Sequence, residues 1–188
     1  MGKAIHTREM ISEGDHVLVA VSGGKDSLSL LWLLRERLKR VPIEYGIIAV
    51  HVDVGFGSDS AERMKSFFTE HGFDYRIVRT DIGPKAHGPE NRENPCFLCS
   101  RLRRKILFEL ANELGCNKIA FGHHKDDVIE TFFLNLFYGA SLSTMMPVQD
   151  FFQGKLTIIR PMSFYRGNKK VKGNIFHALH NVRPEYLL

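Results

Sequence analysis

The sequence predicts an α/β fold in which a parallel sheet carries helices on both faces. Short apolar runs alternate with stretches of helical periodicity, and the resulting order is βαβαβ…αβα. Gly72 and Gly115 follow two of the predicted helices, at the position where helices commonly end. The apolar runs predict strands at residues 16–21, 45–52, 75–79, 118–121 and 156–160.

Helical patterns lie between these strands. Prolines and glycines predict a loop at residues 81–95, and residues 139–152 are predicted to be irregular. Ligands of parallel sheets bind beyond the carboxyl ends of the strands, so the segments after residues 21, 52 and 121 should meet at one edge. The predicted helices cover residues 27–40, 60–71, 99–114 and 126–138.

Composition indicates one soluble globular domain over residues 1–188. Hydrophobic residues make up 44% and charged residues 25% of the chain, which is ordinary for such a domain. No apolar stretch reaches the roughly 18 residues of a membrane-spanning helix, and residues 1–14 lack the apolar core of a signal peptide. Three cysteines suit a reducing compartment, so we expect a cytoplasmic protein with no membrane partner.

The charge favours a polyanionic partner, because the net charge is +5. Basic residues cluster at 35–40, 101–105 and 166–172. We interpret the first cluster as a solvated helix face. The other two lie near further motifs and favour RNA. The candidate phosphate contacts in them are Arg101, Arg103, Arg104, Lys169 and Lys170.

The first motif joins the first predicted strand to the first long helix. Its glycines let the backbone approach a phosphate, and the amides at the helix start point towards it. Lys25 adds a cation, and two serines add hydroxyl donors. The spacing matches neither a Walker A loop nor a dinucleotide fingerprint, so the predicted ligand is a nucleotide polyphosphate. The motif reads Ser22-Gly23-Gly24-Lys25-Asp26-Ser27.

A second motif, GHHKDD at residues 122–127, follows a strand and opens a helix. Asp126 and Asp127 suit helix capping, but facing a polyphosphate they also suit Mg²⁺, together with Asp26. His123 and His124 are candidate donors to phosphate or to a substrate base. A zinc site is disfavoured because adjacent histidines diverge.

A third motif is the pair Cys96 and Cys99, at a predicted junction of loop and helix. Three readings stay open: half of a metal site, a redox dithiol, or a chance pair in a packed region. The remaining cysteine, Cys116, lies just past a helix and is predicted to be a core residue.

The six residues of the first motif resemble the PP-loop of the ATP pyrophosphatase family. With them, CFLCSRLRR at 96–104, GHHKDD at 122–127, LNLFYG at 134–139 and IRP at 159–161 resemble the tRNA 2-thiocytidine synthetases. This implies a Rossmann-like fold of the adenine nucleotide alpha-hydrolase type. It also implies that ATP activates the C2 oxygen of a cytidine in the anticodon loop and that sulfur replaces this oxygen. The implied partners are tRNA, a sulfur donor (a cysteine desulfurase or sulfide) and a second copy of the chain.

The resemblance also implies Mg²⁺ and a [4Fe-4S] cluster as cofactors. We expect catalytic roles for Lys25, Asp26, Cys96, Cys99 and Asp127. Candidate Mg²⁺ ligands are Asp26, Asp126 and Asp127, and candidate cluster ligands are Cys96 and Cys99. The expected nucleotide-binding residues are Ala20, Ser22, Gly23, Gly24, Lys25, Asp26, Ser27, Val52, Asp53, Gly122 and His123, with the adenine near Val50.

The sequence departs from the family at the cluster. Family members use a third cysteine beyond the Arg-Pro segment, whereas this sequence has none after Cys116. A family segment is missing between about residues 166 and 174. Two alternative functions therefore remain: a PP-loop enzyme with a nitrogen nucleophile, similar to lysidine synthetase, and a non-catalytic ATP-binding module.

Overall fold

A single sheet forms the centre of the protein. The computed structural model describes residues 1–57 and 59–164, and within them six strands pair in the order β3-β2-β1-β4-β6-β5. Neighbouring strands are parallel except β5, which pairs with β6 in the antiparallel sense. The strands are β1 His16–Ala20, β2 Gly46–Asp53, β3 Tyr75–Arg79, β4 Lys118–Phe121, β5 Val148–Phe151 and β6 Leu156–Ile159.

The strand order places a crevice at the carboxyl edge of the sheet. From β1 the chain moves outwards through β2 to β3, and then returns to pair β4 on the other side of β1. Ala20 is in register with Val50 on one side and with Phe121 on the other. The loops that leave β1 and β4 therefore diverge from neighbouring positions, and this is where open α/β sheets bind ligands.

Helices cover both faces of the sheet, as alternating side chains of β1 show. Val17 and Val19 pack with Leu34 of α2, while Leu18 packs on the opposite face with Leu107 of α5. Successive strand residues point to opposite faces, so a fully apolar strand serves two cores at once. The described helices are α1 Gly2–Thr7, α2 Lys25–Leu38, α3 Ser60–Glu70, α4 Ile82–His87, α5 Pro95–Glu113 and α6 Lys125–Gly139.

The prediction of an α/β fold with helices on both faces of a mostly parallel sheet is confirmed. Each of the five predicted strands is present within one residue at either end. The largest shift in a predicted helix is at α5, which begins at Pro95 rather than at residue 99. Asn94 caps this helix by accepting hydrogen bonds from the amides of Cys96 and Phe97, at 3.0 and 3.2 Å. Proline at the first helical position suits this start.

Two predictions of irregular structure are wrong in part. The predicted loop at 81–95 contains α4, which buries Ile82 and Ala86 on one side. Its proline lies in the first turn, where no intrahelical amide bond is lost. The predicted irregular stretch at 139–152 contains β5, a four-residue edge strand in which the Asp150 carboxylate accepts a hydrogen bond from the Thr157 hydroxyl. Short helix α1 was not predicted.

Both predicted helix-ending glycines are confirmed, since Gly72 and Gly115 have φ of +62° and +64° just after the caps of α3 and α5. Among the described residues, no helix has both the length and the apolar character that a membrane crossing requires. The predicted missing family segment and the basic cluster at 166–172 lie outside the described residues.

Candidate active site

A cavity of about 410 Å³ opens at the carboxyl edge of the sheet, between the ends of β1 and β4. Its walls come from the two loops that diverge at the crevice, from one side of α5 and from the residue after β6. The first motif contributes Ser22, Gly24, Asp26 and Ser27, beside Ala20 at the end of β1. The second motif contributes Gly122, His123 and Asp127.

Hydroxyl groups hold the first loop in shape. The Ser27 hydroxyl donates to the Gly24 carbonyl at 2.8 Å and accepts from the Ser22 amide at 3.2 Å. No side chain caps the amides at the start of α2. These amides are therefore open to an anion in the cavity, which the positive end of the helix dipole favours. Gly23 and Lys25 belong to this loop, although they do not line the cavity.

The second loop touches the first. A Cβ atom built on Gly122 would lie 2.9 Å from the Ser27 amide nitrogen and 3.0 Å from the Asp26 carbonyl carbon, so only glycine fits. His124 caps α6 by accepting from the Asp126 amide at 3.1 Å, and Asp127 accepts from the His124 amide at 2.7 Å. This capping box gives the Asp127 carboxylate the capping role that was one of its two predicted roles, while Asp126 takes part through its backbone amide. It also turns the start of α6 towards the start of α2.

Two carboxylates of the cavity lie on either side of His124. Its Nε2 is 4.0 Å from Asp26 Oδ2, and its Nδ1 is 3.5 Å from Asp127 Oδ2. Asp127, rather than Asp126, lines the cavity. Within the described part of the chain, no group of three or more His, Cys, Asp or Glu residues forms a metal site. Two carboxylates beside a phosphate-binding loop nevertheless suit Mg²⁺, which keeps its waters and takes further oxygens from the phosphates.

The opposite wall of the cavity is basic. Arg103 and Arg104 of α5 line it together with Arg160, whose side chain is buried. Burial lowers the pKa of Arg160 to about 10, with a further contribution from Arg104. Burial also lowers the pKa of His123 to about 4, and the positive charge of Arg160 adds to this effect. His123 is therefore neutral near pH 7.

Three buried nitrogens on this wall have no hydrogen-bond partner among the described residues: Arg103 Nε, His123 Nδ1 and Arg160 Nε. Buried polar atoms without partners are costly, so three of them on residues that line one cavity indicate a polar ligand. The sequence predicted Arg103 and Arg104 as RNA contacts and gave Arg160 no role. The spacing of Ser100, Arg103 and Leu107 along one side of α5 was the signal that could have placed Arg103 in the cavity.

The two cysteines of the third motif lie on α5 next to the cavity. Cys96 is exposed and Cys99 half-buried, and both thiols are free. Cys99 adjoins Ser100, which lines the cavity, and Cys96 lies about 6 Å from Ser100 along the helix axis. Cys116 is buried at the opposite, amino edge of the sheet, where burial raises the pKa of its thiol. Its prediction as a core residue is confirmed.

Other predicted site residues lie away from the cavity. Val50 and Val52 are buried in the core beneath α5. The Asp53 carboxylate accepts a hydrogen bond from the Gly55 amide at 3.0 Å, which is the turn-forming contact that was one of its two predicted roles. A contact of these residues with adenine or ribose stays a prediction. Arg101 pairs with Glu93 at 3.1 Å on the surface, and Lys169 and Lys170 are outside the described residues.

Curated relatives share much of this sequence. The tRNA-cytidine(32) 2-sulfurtransferase of Syntrophotalea carbinolica is 45% identical over 167 residues, which are 87% of this chain and 63% of that protein. The enzyme of the same name from Aeromonas hydrophila is 41% identical over 174 residues, or 92% of this chain and 57% of that one. The chain thus spans less than two thirds of the length of these relatives.

Solved structures share the fold. The U34-tRNA thiolase NcsA from Methanococcus maripaludis, solved with its [4Fe-4S] cluster, has a TM-score of 0.68 and 26% identity, over 100% of this chain and 66% of that one. The NH3-dependent NAD synthetase from Campylobacter jejuni supports the fold alone, with a TM-score of 0.53 and 14% identity over 98% of this chain and 72% of that one. The PP-loop domain model matches residues 3–172. The loop at Ser22, the cavity behind it and this match agree, and the chain belongs to the PP-loop family.

Proposed function

We propose that this chain uses ATP to activate the C2 oxygen of a cytidine in tRNA and then replaces that oxygen with sulfur. The observation that carries the proposal is the identity of 41–45% to proteins named tRNA-cytidine(32) 2-sulfurtransferase, which extends over the residues that build the cavity. The NcsA neighbour, described as a U34-tRNA thiolase, supports the same class of reaction.

The loop at residues 22–27 would hold the polyphosphate of ATP. Its open amides at the start of α2 and the Ser22 hydroxyl are donors suited to phosphate oxygens, while the Ser27 hydroxyl holds the loop through the Gly24 carbonyl. Lys25 is the first residue of α2 and does not line the cavity, but its positive charge next to the loop would attract the polyphosphate. Asp26 and Asp127 would hold Mg²⁺, which when bound neutralises phosphate charge.

The reaction needs two displacements. In the first, the C2 oxygen attacks the α-phosphorus, and pyrophosphate leaves with the electrons of the broken phosphoanhydride bond. In the second, a sulfur nucleophile attacks C2, and AMP departs with the former C2 oxygen. The fixed amide donors of the cavity stabilise the charge that develops in the first displacement. Neutral His123 offers one N–H to the substrate without adding positive charge.

Cys96 and Cys99 would bring the sulfur to the cavity. Their free thiols beside Ser100 fit two ligands of an iron–sulfur cluster, but the third cysteine of this chain lies at the far edge of the sheet. The chain's own thiols therefore do not complete a three-cysteine ligand set, and no step is derived through a cluster. A persulfide on either thiol is the alternative carrier, formed when a cysteine desulfurase transfers sulfane sulfur to that thiol. Its terminal sulfur would attack C2 as AMP leaves. The second thiol would then release the thiolated base by closing a Cys96–Cys99 disulfide, which an added thiol reductant reopens. The sulfur donor and a pairing with a second copy of the chain stay predictions.

The test is thiolation without oxygen. The protein is mixed with ATP, Mg²⁺, a tRNA that carries cytidine at position 32, and cysteine with a cysteine desulfurase and a thiol reductant as the sulfur source. Nucleosides and AMP are then measured by mass spectrometry. We expect 2-thiocytidine and AMP in equal amounts, and none with a matched tRNA that carries uridine at that position. AMP release that is indifferent to tRNA would contradict the RNA assignment.

Cysteine variants separate thiolation from the alternative functions. Cys96→Ser and Cys99→Ser should abolish 2-thiocytidine, whereas the matched control Cys116→Ser should retain it. An enzyme with a nitrogen nucleophile would be indifferent to serine at residues 96 and 99. ATP binding without AMP formation on any tRNA would support a binding module instead.

A further inference from the structure

Arg160 is a buried cation that forms no ion pair with the residues the structure describes. Its side chain is 5% exposed, and among the ion pairs of the described residues none involves it. One terminal nitrogen donates to the Met146 carbonyl at 2.6 Å, while Nε has no partner among the described residues. A buried charge is normally paired, so a guanidinium that lines a cavity and keeps one donor unused indicates a missing anion.

The surroundings of Arg160 strengthen this reading. The charged residue that acts on it most is another cation, Arg104, which lines the same cavity. Arg103 and His123, also on this wall, each keep one buried nitrogen without a partner in the described part of the chain. Four nitrogen-bearing side chains thus line one cavity. Asp26 and Asp127 line it too, but among the described residues neither carboxylate forms an ion pair with one of these arginines. A phosphate group supplies acceptors that match these nitrogens.

This basic wall is separate from the loop at residues 22–27. The loop offers backbone amides from the start of α2 and the Ser22 hydroxyl, whereas the wall offers guanidinium groups from α5 and from the residue after β6. Both face one cavity of about 410 Å³. A reaction that cleaves ATP between its α- and β-phosphates creates two phosphate products in that cavity, and each needs its own donors.

We propose that Arg160, with Arg104 and His123, forms a second phosphate subsite that binds the α-phosphate of ATP and of the AMP product, while the loop at residues 22–27 binds pyrophosphate. This inference rests on the proposed function, because it assumes cleavage at the α-phosphate. A backbone phosphate of RNA is the less suitable occupant, since a polymer would have to enter the cavity to reach a side chain that is 5% exposed.

Calorimetry with AMP and with pyrophosphate tests the subsite on the whole chain. Arg160→Gln should weaken AMP binding tenfold to a hundredfold, as expected for loss of a charged hydrogen bond, and change pyrophosphate binding by less than about threefold. Arg160→Lys should fall between, because it keeps the charge but loses the planar fork. The matched control is Arg101→Gln, an exposed arginine of α5 outside the cavity, which should leave both ligands unaffected.

Arg104→Gln provides the second variant, because Arg104 is exposed and its loss does not threaten the fold. It should also weaken AMP more than pyrophosphate, which decides the matter if Arg160→Gln fails to fold. Equal weakening of both ligands, or loss of tRNA binding with AMP binding intact, would overturn the proposal. The selective loss of AMP affinity in a chain that forms no 2-thiocytidine would uphold the subsite and refute the proposed function alone.

Discussion

Replacing Gly122 by alanine forces a methyl group against the backbone at the start of α2. The added Cβ would lie 2.9 Å from the Ser27 amide nitrogen and 3.0 Å from the Asp26 carbonyl carbon. Ordinary contacts between such atoms are about 3.5 Å or longer, so the two loops must separate by roughly half an ångström. Neither neighbour is a flexible side chain, so overpacking should cost about 1–3 kcal/mol of unfolding free energy.

The free energy of ATP binding should weaken by a similar amount, because the same displacement moves the amides that face the cavity. About 2 kcal/mol corresponds to a roughly thirtyfold weaker ATP affinity. Denaturant unfolding and calorimetry measure the two effects. The control is Gly139→Ala, where the new Cβ meets nothing within 4 Å at the end of α6 and both properties should stay unchanged. A Gly122→Ala protein with unaltered stability and ATP affinity would refute the argument from close contact.

Burial lowers the pKa of His123 from 6.5 in the unfolded chain to about 4 in the folded protein. As pH falls from 6.5 to 4, the unfolded chain takes up a proton that the folded protein does not. The free energy of unfolding should therefore drop by at most about 3 kcal/mol over this range. His123→Gln should flatten the dependence of unfolding free energy on pH in that window, and an unchanged slope would contradict this assignment. Ser27→Ala removes the 2.8 Å hydrogen bond to the Gly24 carbonyl and should cost about 1 kcal/mol, with weaker ATP binding in calorimetry; full affinity would show that the hydroxyl does not hold the loop. Because only Cys96 and Cys99 of the three cysteines lie next to the cavity, anaerobically prepared protein should contain well below four iron atoms per chain. A content of four iron atoms and four sulfides per chain would mean that another group completes the ligand set.

The fold was accessible from sequence because each long element carries its own periodicity. The buried residues of β1, Val17, Leu18 and Val19, are all apolar, which is typical of a strand that is buried on both faces. In α2, leucines recur at helical spacing. The antiparallel strand β5 was not predicted, because Val148–Phe151 has only four residues with exposed positions in its middle. α4 escaped prediction because its Gly-Pro start resembles a turn.

The site was predictable where a motif is local and unpredictable where it depends on distant elements. Ser22, Ser27 and Gly122 were recognised because the chain itself carries them from a strand into a helix. The burial of Arg160 depends on the packing of β6 and of the segment that contains Met146, which no local pattern encodes. For the same reason the sequence could not show that Asp127, rather than Asp126, lines the cavity.

The crevice between β1 and β4 joins the two halves of the sheet, since β1, β2 and β3 lie on one side of it and β4, β6 and β5 on the other. A nucleotide bound there would touch the start of α2 in the first half and the residue after β6 in the second. Such a ligand acts as a non-covalent clamp across the sheet, and its binding free energy adds directly to the work of pulling the halves apart. Hydrogen exchange along the β1–β4 seam should therefore slow in proportion to nucleotide occupancy.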